Sequence, residues 1–227
     1  MNDWVFDPAP RASLAVEGLE AGFPVRRIYC VGQNYAEHAR EMGVTDRAVP
    51  VFFDKPADAL TTSSEVPYPP GTSNLHHEVE LVVALHSGGR DLDPEQAERC
   101  IYGYAVGVDL TRRDLQAAAK KKGSPWTTAK GFDHSAPVSE IRPLGPAGHP
   151  ENAGIRLAVN GVMRQQGNTA EMIWSVPEII TELSRLFELK AGDLVFTGTP
   201  AGVGPLDRGD LVGCSLEGVG TLAFTMV

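Results

Sequence analysis

Short runs of β-branched and other apolar residues recur along the chain and predict a fold built mainly from strands. The most apolar run, residues 77–85 (HEVELVVAL), ends at Ser87-Gly88-Gly89 and predicts a buried strand. Asn160-Gly161 joins two other runs and is the strongest hairpin signal in the chain. Further strands are predicted at 27–31, 50–55, 102–110, 155–159, 162–165, 193–197, 210–216 and 220–226.

Other segments carry helix signals. Ser175 and Glu178 form the pattern of a capping box, and the apolar residues that follow are spaced for one buried face. Thr111, with Asp114 three residues later, predicts the start of another helix. The predicted helices cover 33–42, 94–101, 111–121 and the segment after Ser175. Because strands outnumber helices and do not alternate regularly with them, we predict an α+β fold, mainly β, rather than a doubly wound or barrel α/β fold.

Prolines and glycines divide the chain into segments. Residues 1–24 contain three prolines and predict an extended N-terminal arm with one short strand, whereas residues 25–227 are expected to form a single domain. Two turn-rich stretches, 61–74 and 126–153, are the long candidate loops. The 24 Gly and 17 Pro among 227 residues predict many turns. Their share stays below the roughly 25–30% that is typical of disordered low-complexity chains.

Charge and cysteine content narrow the class of protein. The net charge of −9 argues against binding to nucleic acid, because an acidic chain repels phosphate backbones. The three cysteines are far apart, which fits reduced thiols in a cytoplasmic protein. The longest apolar run, residues 81–85, is too short to cross a membrane, and the first residues lack the apolar core of a secretion signal.

Two carboxylates lie inside the most confident predicted strand. Glu78 and Glu80 are two residues apart and therefore point to one face, on which Val82 and Ala84 follow. Like charges this close repel each other unless water or a cation screens them. A pair of solvated surface glutamates is the alternative, but the apolar residues that follow favour a buried pair and a bound cation.

A third carboxylate ends the next long strand. Asp109 shares its face with Gly103, Ala105 and Gly107, and such small side chains imply that another group packs close to this face. The alternative is that Asp109 is a turn or cap residue before the next helix. Together with the two glutamates it makes an all-oxygen ligand set without a nearby His or Cys cluster. Such a set suits Mg²⁺, Mn²⁺ or Ca²⁺ better than zinc.

Further polar residues have the spacing of catalytic or binding groups. His38 and Glu41 share a helix face, where the carboxylate could orient the imidazole as a base; a surface ion pair is the alternative. Arg113 and Gln116 lie on one face of the helix after the third carboxylate.

Lysines supply the candidate anion-binding groups. Lys130 follows an apolar approach and could face an anionic substrate from a partly buried position; an ordinary surface lysine is the alternative. The run Lys120–Lys122 ends a helix, where cations suit the helix dipole, and we predict a solvated terminus. The loop Gly198-Thr199-Pro200 lacks the lysine of a phosphate-binding Walker loop, so phosphate binding is not expected.

Seven motifs follow one another along the chain. They are IYCVGQNYAEHAREM (28–42), FFDKPADAL (52–60), LHHEVELVVAL (75–85), YGYAVGVDLTRRDLQ (102–116), PWTTAKGFD (125–133), VNGVMRQ (159–165) and FTGTPAGVG (196–204). In this order they resemble the fumarylacetoacetate hydrolase family, in its short form without the separate N-terminal domain. The resemblance covers residues 25–225, and within the family it is strongest to bacterial fumarylpyruvate hydrolases of gentisate catabolism. The acylpyruvate hydrolase and oxaloacetate decarboxylase branch is also similar.

The resemblance implies a mixed β-sandwich roll, a homodimer and one divalent metal held by three carboxylates. It makes His38 and Glu41 a dyad that activates water. The implied metal ligands are Glu78, Glu80 and Asp109, and the implied contacts to the pyruvate or oxyanion end of the substrate are Arg113, Gln116, Lys130 and Thr199. The longer family members have a fourth acidic ligand upstream, for which this sequence has no secure equivalent.

The implied reaction is the hydrolysis of an anionic acylpyruvate, as in the conversion of 3-fumarylpyruvate to fumarate and pyruvate. Oxaloacetate decarboxylation, and isomerisation or decarboxylation of homoprotocatechuate-pathway diacids, are alternatives because all of them pass through a metal-bound enolate. A binding or structural protein that holds a metal without turnover is a further alternative. The dyad and Lys130 speak against it, since a structural metal site does not need them. Glycines beside Asp109 and in the loop 198–204 are expected to allow close approach of the metal and the pyruvyl group.

Overall fold

A computed structural model describes residues 4–36, 49–146 and 148–227, and strands dominate this part of the chain. The strands are β1 (Ser13–Val16), β2 (Leu19–Pro24), β3 (Arg27–Gly32), β4 (Val51–Lys55), β5 (Leu60–Thr61), β6 (Glu65–Val66), β7 (Leu75–His77), β8 (Val79–Leu85), β9 (Ile101–Val108), β10 (Thr111–Arg112), β11 (Ala136–Pro137), β12 (Arg142–Pro143), β13 (Gly154–Val159), β14 (Val162–Asn168), β15 (Asp193–Phe196), β16 (Gly204–Leu206), β17 (Leu211–Leu216) and β18 (Gly220–Met226). The α-helices are α1 (Pro94–Arg99), α2 (Arg113–Lys122), α3 (Thr127–Lys130) and α4 (Val176–Leu186).

Two mixed sheets form the body of the fold. The larger has the order β12-β9-β8-β15-β3-β4, and the smaller has the order β14-β13-β17-β18-β6. Each sheet contains one parallel pair, β15 with β3 and β18 with β6, among antiparallel ones. The main core joins apolar side chains of both sheets to those of α1 and α4. The prediction of an α+β fold, mainly β, with a mixed β-sandwich is confirmed.

The second face of the larger sheet is covered by the N-terminal hairpin. Strands β1 and β2 pair with each other, and Leu14, Val16 and Phe23 are buried against Phe196 and its neighbours in the sheet. Residues 13–24 are therefore a packed hairpin, where the sequence predicted an extended arm with one short strand. Alternating burial of β1 explains the packing, since it places two apolar side chains on one face.

Local sequence signals are confirmed at a turn and at a helix start. Asn160 and Gly161 both have positive φ, 52° and 78°, as a two-residue type I′ turn requires, and they join β13 to β14. Helix α4 starts after Ser175, and Glu178 completes the predicted capping box. The predicted helix 33–42 falls for the most part on residues 37–48, outside the described part.

The prediction that Thr111 caps a helix is wrong. Helix α2 begins two residues later, at Arg113, and Thr111 belongs to the short strand β10 instead. Its side chain is buried, and the hydroxyl accepts a hydrogen bond from Lys130 and donates one to the Asp109 carbonyl. The described ranges contain no helix that is long and apolar enough to cross a membrane.

Candidate functional site

The three predicted carboxylates meet where β8 begins and β9 ends. Glu80 on β8 pairs with Gly107 on β9, and the Asp109 N–H donates to the Glu78 carbonyl at 2.8 Å, which continues this antiparallel pairing. Each of the three residues places one carboxylate oxygen within 4.8 Å of those of the other two. All three side chains are buried. The alternatives of a solvated pair and a plain cap residue are therefore excluded.

Lys130 lies between two of these carboxylates. Its ammonium donates to Glu78 Oε2 at 2.7 Å, to Asp109 Oδ2 at 2.5 Å and to Thr111 Oγ1 at 2.7 Å, so all three N–H donors are used. The side chain is only 2% exposed, which rules out an ordinary surface lysine. Burial alone would lower the pKa of Lys130, but the charges of Asp109 and Glu78 raise it, and the group stays an ammonium.

A second buried lysine supports this arrangement, and the sequence prediction missed it. Lys55, the last residue of β4, places Nζ 2.8 Å from Asp109 Oδ1 in an ion pair whose angles do not make a hydrogen bond. The ammonium instead donates to the carbonyls of Leu110 and Lys130. It thereby ties the end of the four-residue helix α3 to the strand. The one signal available was a lysine that closes an apolar strand in the motif FFDKPADAL.

Arg113 and Gln116 project from the first turns of α2 towards the carboxylates. Arg113 Nη2 donates to Glu78 Oε1, and Arg113 Nη1 donates to Gln116 Oε1 at 2.5 Å. Burial would raise the pKa of Glu78, but the charges of Lys130 and Arg113 overcome it and lower that pKa. Glu78 is therefore a carboxylate held by two cations.

The third carboxylate has different surroundings. Glu80 Oε2 accepts a hydrogen bond from the Gly198 N–H at 2.7 Å, on the loop after β15. Burial, together with the charges of Asp109 and Glu78, raises the pKa of Glu80 well above its usual range. Gly198 has φ of 98° and lies so close to Asn34 that a Cβ would clash, which explains the glycine.

The next residue on this loop, Thr199, is also buried beside the carboxylates. Its hydroxyl donates to the Val79 carbonyl at 2.8 Å and accepts from Gln165 Nε2 at 2.8 Å. Gln165 is 1% exposed and was given no role in the sequence prediction. The last residue of the motif VNGVMRQ thus holds the loop that lines the site.

The donor set fits a hard divalent cation. Three buried carboxylates provide oxygen ligands, and Asp109 Oδ1 accepts no hydrogen bond, although it is fully buried and the Lys55 ammonium lies 2.8 Å away. Burial and the charges of Asp109 and Glu78 raise the pKa of Glu80, because a third negative charge is unfavourable here without a further cation. Oxygen ligands of this kind suit Mg²⁺, Mn²⁺ or Ca²⁺. The residues that could hold the ion are Glu78, Glu80 and Asp109.

One pocket is lined by most of the predicted site residues. They are Glu78, Glu80, Asp109, Arg113, Gln116, Lys130 and Thr199. His38 and Glu41, the predicted dyad, lie outside the described residues. Lys120 also lines this pocket, so the prediction of a solvated terminus is wrong for it, whereas Lys121 and Lys122 are exposed as predicted.

The small face beside Asp109 has a structural explanation that differs from the expected one. A Cβ on Gly107 would lie 2.6 Å from Val82 Cγ2 and 2.7 Å from Phe196 Cε1, and one on Gly103 would lie 2.3 Å from the Arg142 carbonyl oxygen. These glycines therefore admit neighbouring strands and a phenylalanine ring. The expectation that they allow close approach of a metal or a pyruvyl group is wrong for this face.

Sequence comparison places the chain in a known enzyme family. Residues 27–227 match the family model described as fumarylacetoacetate (FAA) hydrolase C-terminal, and the chain belongs to the fumarylacetoacetate hydrolase family. It is 44% identical over 204 residues to oxaloacetate tautomerase YcgM of Escherichia coli, covering 89% of this chain and 93% of the relative. It is 39% identical over 198 residues to a mitochondrial oxaloacetate decarboxylase of Dictyostelium discoideum, covering 86% and 91%.

Comparison with solved structures gives a match that covers nearly the whole chain. The fold is similar to the crystal structure of fumarylpyruvate hydrolase from Pseudomonas aeruginosa in complex with Mn²⁺ and pyruvate. The TM-score is 0.96, the sequences are 48% identical, and the match covers 99% of each chain.

Proposed function

We propose that this protein is a metal-dependent hydrolase that cleaves a carbon–carbon bond of an acylpyruvate, with 3-fumarylpyruvate as substrate and fumarate and pyruvate as products. The observation that carries the proposal is the likeness, over nearly the whole chain, to a fumarylpyruvate hydrolase in complex with Mn²⁺ and pyruvate. The cofactor is one divalent cation, Mg²⁺ or Mn²⁺, with Ca²⁺ as a further fit. Glu78, Glu80 and Asp109 are its ligands in this proposal.

The cation would supply Lewis-acid stabilisation of negative charge on the oxygens of the pyruvyl end. The residues around it bind and orient that end. Arg113 and Gln116 are joined by a hydrogen bond on one helix face and present guanidinium and amide donors to the pocket. Thr199 adds a hydroxyl to the lining of the pocket, fixed by Gln165 and the Val79 carbonyl.

Lys130 stabilises the charge that develops as the bond breaks. Its ammonium is fixed by three acceptors and shielded from water, so no reorganisation is needed when an enolate forms nearby. A buried cation that is already in place acts more strongly than a solvated one, because the surrounding dielectric is low. We assign Lys130 this electrostatic role, and its contribution to substrate binding is electrostatic as well, because Glu78, Asp109 and Thr111 take its three N–H donors.

His38 and Glu41 are the proposed base and its orienting carboxylate. The imidazole takes a proton from water, and the water oxygen forms a bond to the distal acyl carbonyl carbon. The carbon–carbon bond then breaks, its electron pair stays on the pyruvyl fragment as an enolate, and protonation of that carbon gives pyruvate. The acyl fragment leaves as a carboxylic acid, which is fumarate for 3-fumarylpyruvate.

A second candidate function is turnover of oxaloacetate. Two relatives that align over most of their length are an oxaloacetate tautomerase and an oxaloacetate decarboxylase. Both reactions need an enolate next to a carboxylate, which the same groups would stabilise, but neither needs water as a nucleophile. Isomerisation or decarboxylation of homoprotocatechuate-pathway diacids falls in the same group of enolate reactions.

A substrate panel tests the proposal. The purified protein is freed of metal with EDTA, reloaded with Mg²⁺ or Mn²⁺, and assayed with 3-fumarylpyruvate, maleylpyruvate, acetylpyruvate and oxaloacetate. We expect the highest kcat/KM for 3-fumarylpyruvate, and no turnover before metal is restored. Turnover of oxaloacetate alone would replace the hydrolase proposal by the second candidate.

We further propose a cytoplasmic homodimer that acts in gentisate breakdown, and light scattering in solution tests the dimer.

A further inference from the structure

Lys120 belongs to the pocket although it starts a run of surface lysines. Arg113, Gln116 and Lys120 are three and four residues apart on α2 and therefore share one helix face. All three line the pocket that contains the carboxylates. Lys120 is partly buried, whereas Lys121 and Lys122 are exposed. The helix thus presents one of its three consecutive lysines to the site.

Within the described part of the chain, the charges of the site leave Lys120 without a carboxylate partner. Each of the other three cations is paired: Lys55 with Asp109, Arg113 with Glu78, and Lys130 with both. Among the described residues, Lys120 makes no ion pair with a carboxylate. Its ammonium instead lies 5.1 Å from the centre of the Trp126 ring. Burial and the nearby Arg113 charge both lower the pKa of Lys120, and the charge of Glu78 does not offset them.

The position of Lys120 suits the far end of a substrate. A helix rises about 1.5 Å per residue, so the seven residues from Arg113 to Lys120 span about 10 Å along the axis. Arg113 contacts Glu78 at the carboxylate end of the pocket. Phe53 lies beside Lys130 and Trp126 lies beside Lys120, and their rings line the pocket with their centres 5.8 Å apart. Flat apolar rings beside this path suit an unsaturated acyl chain.

We propose that Lys120 determines specificity by binding the distal carboxylate of a dianionic acylpyruvate. The inference rests on the proposed function and narrows it to diacids, of which 3-fumarylpyruvate is one. The ammonium forms a charge-assisted hydrogen bond with a carboxylate that a neutral acyl group lacks. The pyruvyl end is bound by other residues, so Lys120 acts on the choice of acyl group and not on bond cleavage.

Paired substrates and matched variants test this assignment. Crotonylpyruvate has the carbon chain of 3-fumarylpyruvate with a methyl group in place of the distal carboxylate. We measure kcat and KM for both compounds with the Mn²⁺-loaded wild type, Lys120→Met, Lys120→Arg and the exposed control Lys121→Met. For Lys120→Met we expect a loss of about 10- to 100-fold in kcat/KM for 3-fumarylpyruvate, carried by KM, because a hydrogen bond to a charged group contributes about 1.5–3 kcal/mol.

The two substrates separate the possible outcomes. Unchanged crotonylpyruvate kinetics in Lys120→Met, recovery in Lys120→Arg and wild-type behaviour of Lys121→Met would support the assignment. Equal losses for both substrates, or no loss for either, would overturn it. If the wild type cleaves neither compound, the hydrolase proposal fails. The role of Lys120 is then tested separately, by measuring the affinity of wild type and Lys120→Met for both compounds by calorimetry. Equal affinity of wild type and Lys120→Met for 3-fumarylpyruvate would then reject the role of Lys120.

Discussion

Gln165 offers the sharpest test of how the fold holds the site together. The side chain is 1% exposed and all its hydrogen-bonding capacity towards protein is used. Oε1 accepts from His77 Nδ1 at 2.9 Å and from the Val79 N–H at 3.1 Å. Nε2 donates to Thr199 Oγ1 at 2.8 Å and to the Pro200 carbonyl at 2.9 Å. One amide thus joins β14 to the start of β8 and to the loop after β15.

Replacing Gln165 with Met keeps the length of the side chain and removes all four hydrogen bonds. The Val79 N–H and the Pro200 carbonyl lose a buried partner, and each unsatisfied group costs about 1–3 kcal/mol. His77 Nδ1 loses its acceptor as well, but a neutral imidazole can carry its proton on the other ring nitrogen and so adds less to the loss of stability. Thr199 keeps its hydrogen bond to the Val79 carbonyl, so the loss of its bond to Gln165 adds less to the fall in stability. We therefore expect the free energy of unfolding to fall by about 2–6 kcal/mol, a large share of the roughly 5–15 kcal/mol of a typical domain.

Denaturant unfolding of the metal-free protein measures this loss. Metal is removed with EDTA because a bound ion would stabilise the folded state and hide part of the difference. Gln166→Met is the matched control, since Gln166 is the same residue type on the same strand but is exposed. Its midpoint should stay close to that of the wild type. The slope of the transition must be equal in all three proteins for the comparison to report stability.

A fall of less than about 1 kcal/mol for Gln165→Met would refute this reasoning, because one unsatisfied buried group alone should cost that much. An equal loss in Gln166→Met would refute it as well, since the effect would then come from the strand and not from the buried amide. Under conditions where Gln165→Met remains folded, we also expect a raised KM, because Thr199 loses one of the two groups that fix its hydroxyl.

Two further changes test the proposed chemistry. Glu80→Gln keeps an oxygen for the Gly198 N–H but removes a charge, so Mn²⁺ affinity measured by calorimetry should fall by more than about 10-fold, the lower limit for groups that merely support a ligand. Unchanged affinity would remove Glu80 from the ligand set. His38→Ala should lower kcat for acylpyruvates by a factor on the order of 10²–10⁴ while Mn²⁺ affinity is kept, and wild-type turnover would reject the base assignment.

The sequence predicted well those elements whose conformation depends on residues that are close together in the chain. The turn at Asn160-Gly161 needs only the positive φ that these two residues tolerate. The carboxylate cluster depends on slightly more, namely the two-residue repeat of β8 and its antiparallel pairing with β9. Both strands were predicted from their composition, and antiparallel neighbours bring the start of one to the end of the other. The metal-ligand candidates could therefore be found without a structure.

Contacts between distant segments could not be predicted in this way. Lys55 meets Asp109 although β4 and β9, the strand that Asp109 follows, lie on the same sheet with β3, β15 and β8 between them. The small face of β9 is filled by Phe196, which belongs to a strand far away in sequence. Composition indicated that this face needs a close neighbour, but the neighbour's identity depends on strand order. The pattern of apolar and polar residues does not predict the strand order.

Thr111 shows why a sound local rule can fail at a functional site. Ser, Thr, Asp and Asn stabilise a helix start by about 1 kcal/mol when they cap it. A buried ammonium that lacks one of its hydrogen bonds costs more than the roughly 1–3 kcal/mol typical of an unsatisfied neutral group. Lys130 has three N–H donors, and Thr111 provides the acceptor that the two carboxylates leave open. Because leaving the ammonium unsatisfied costs more than losing a cap, the hydroxyl binds the lysine and the helix starts two residues later, at Arg113.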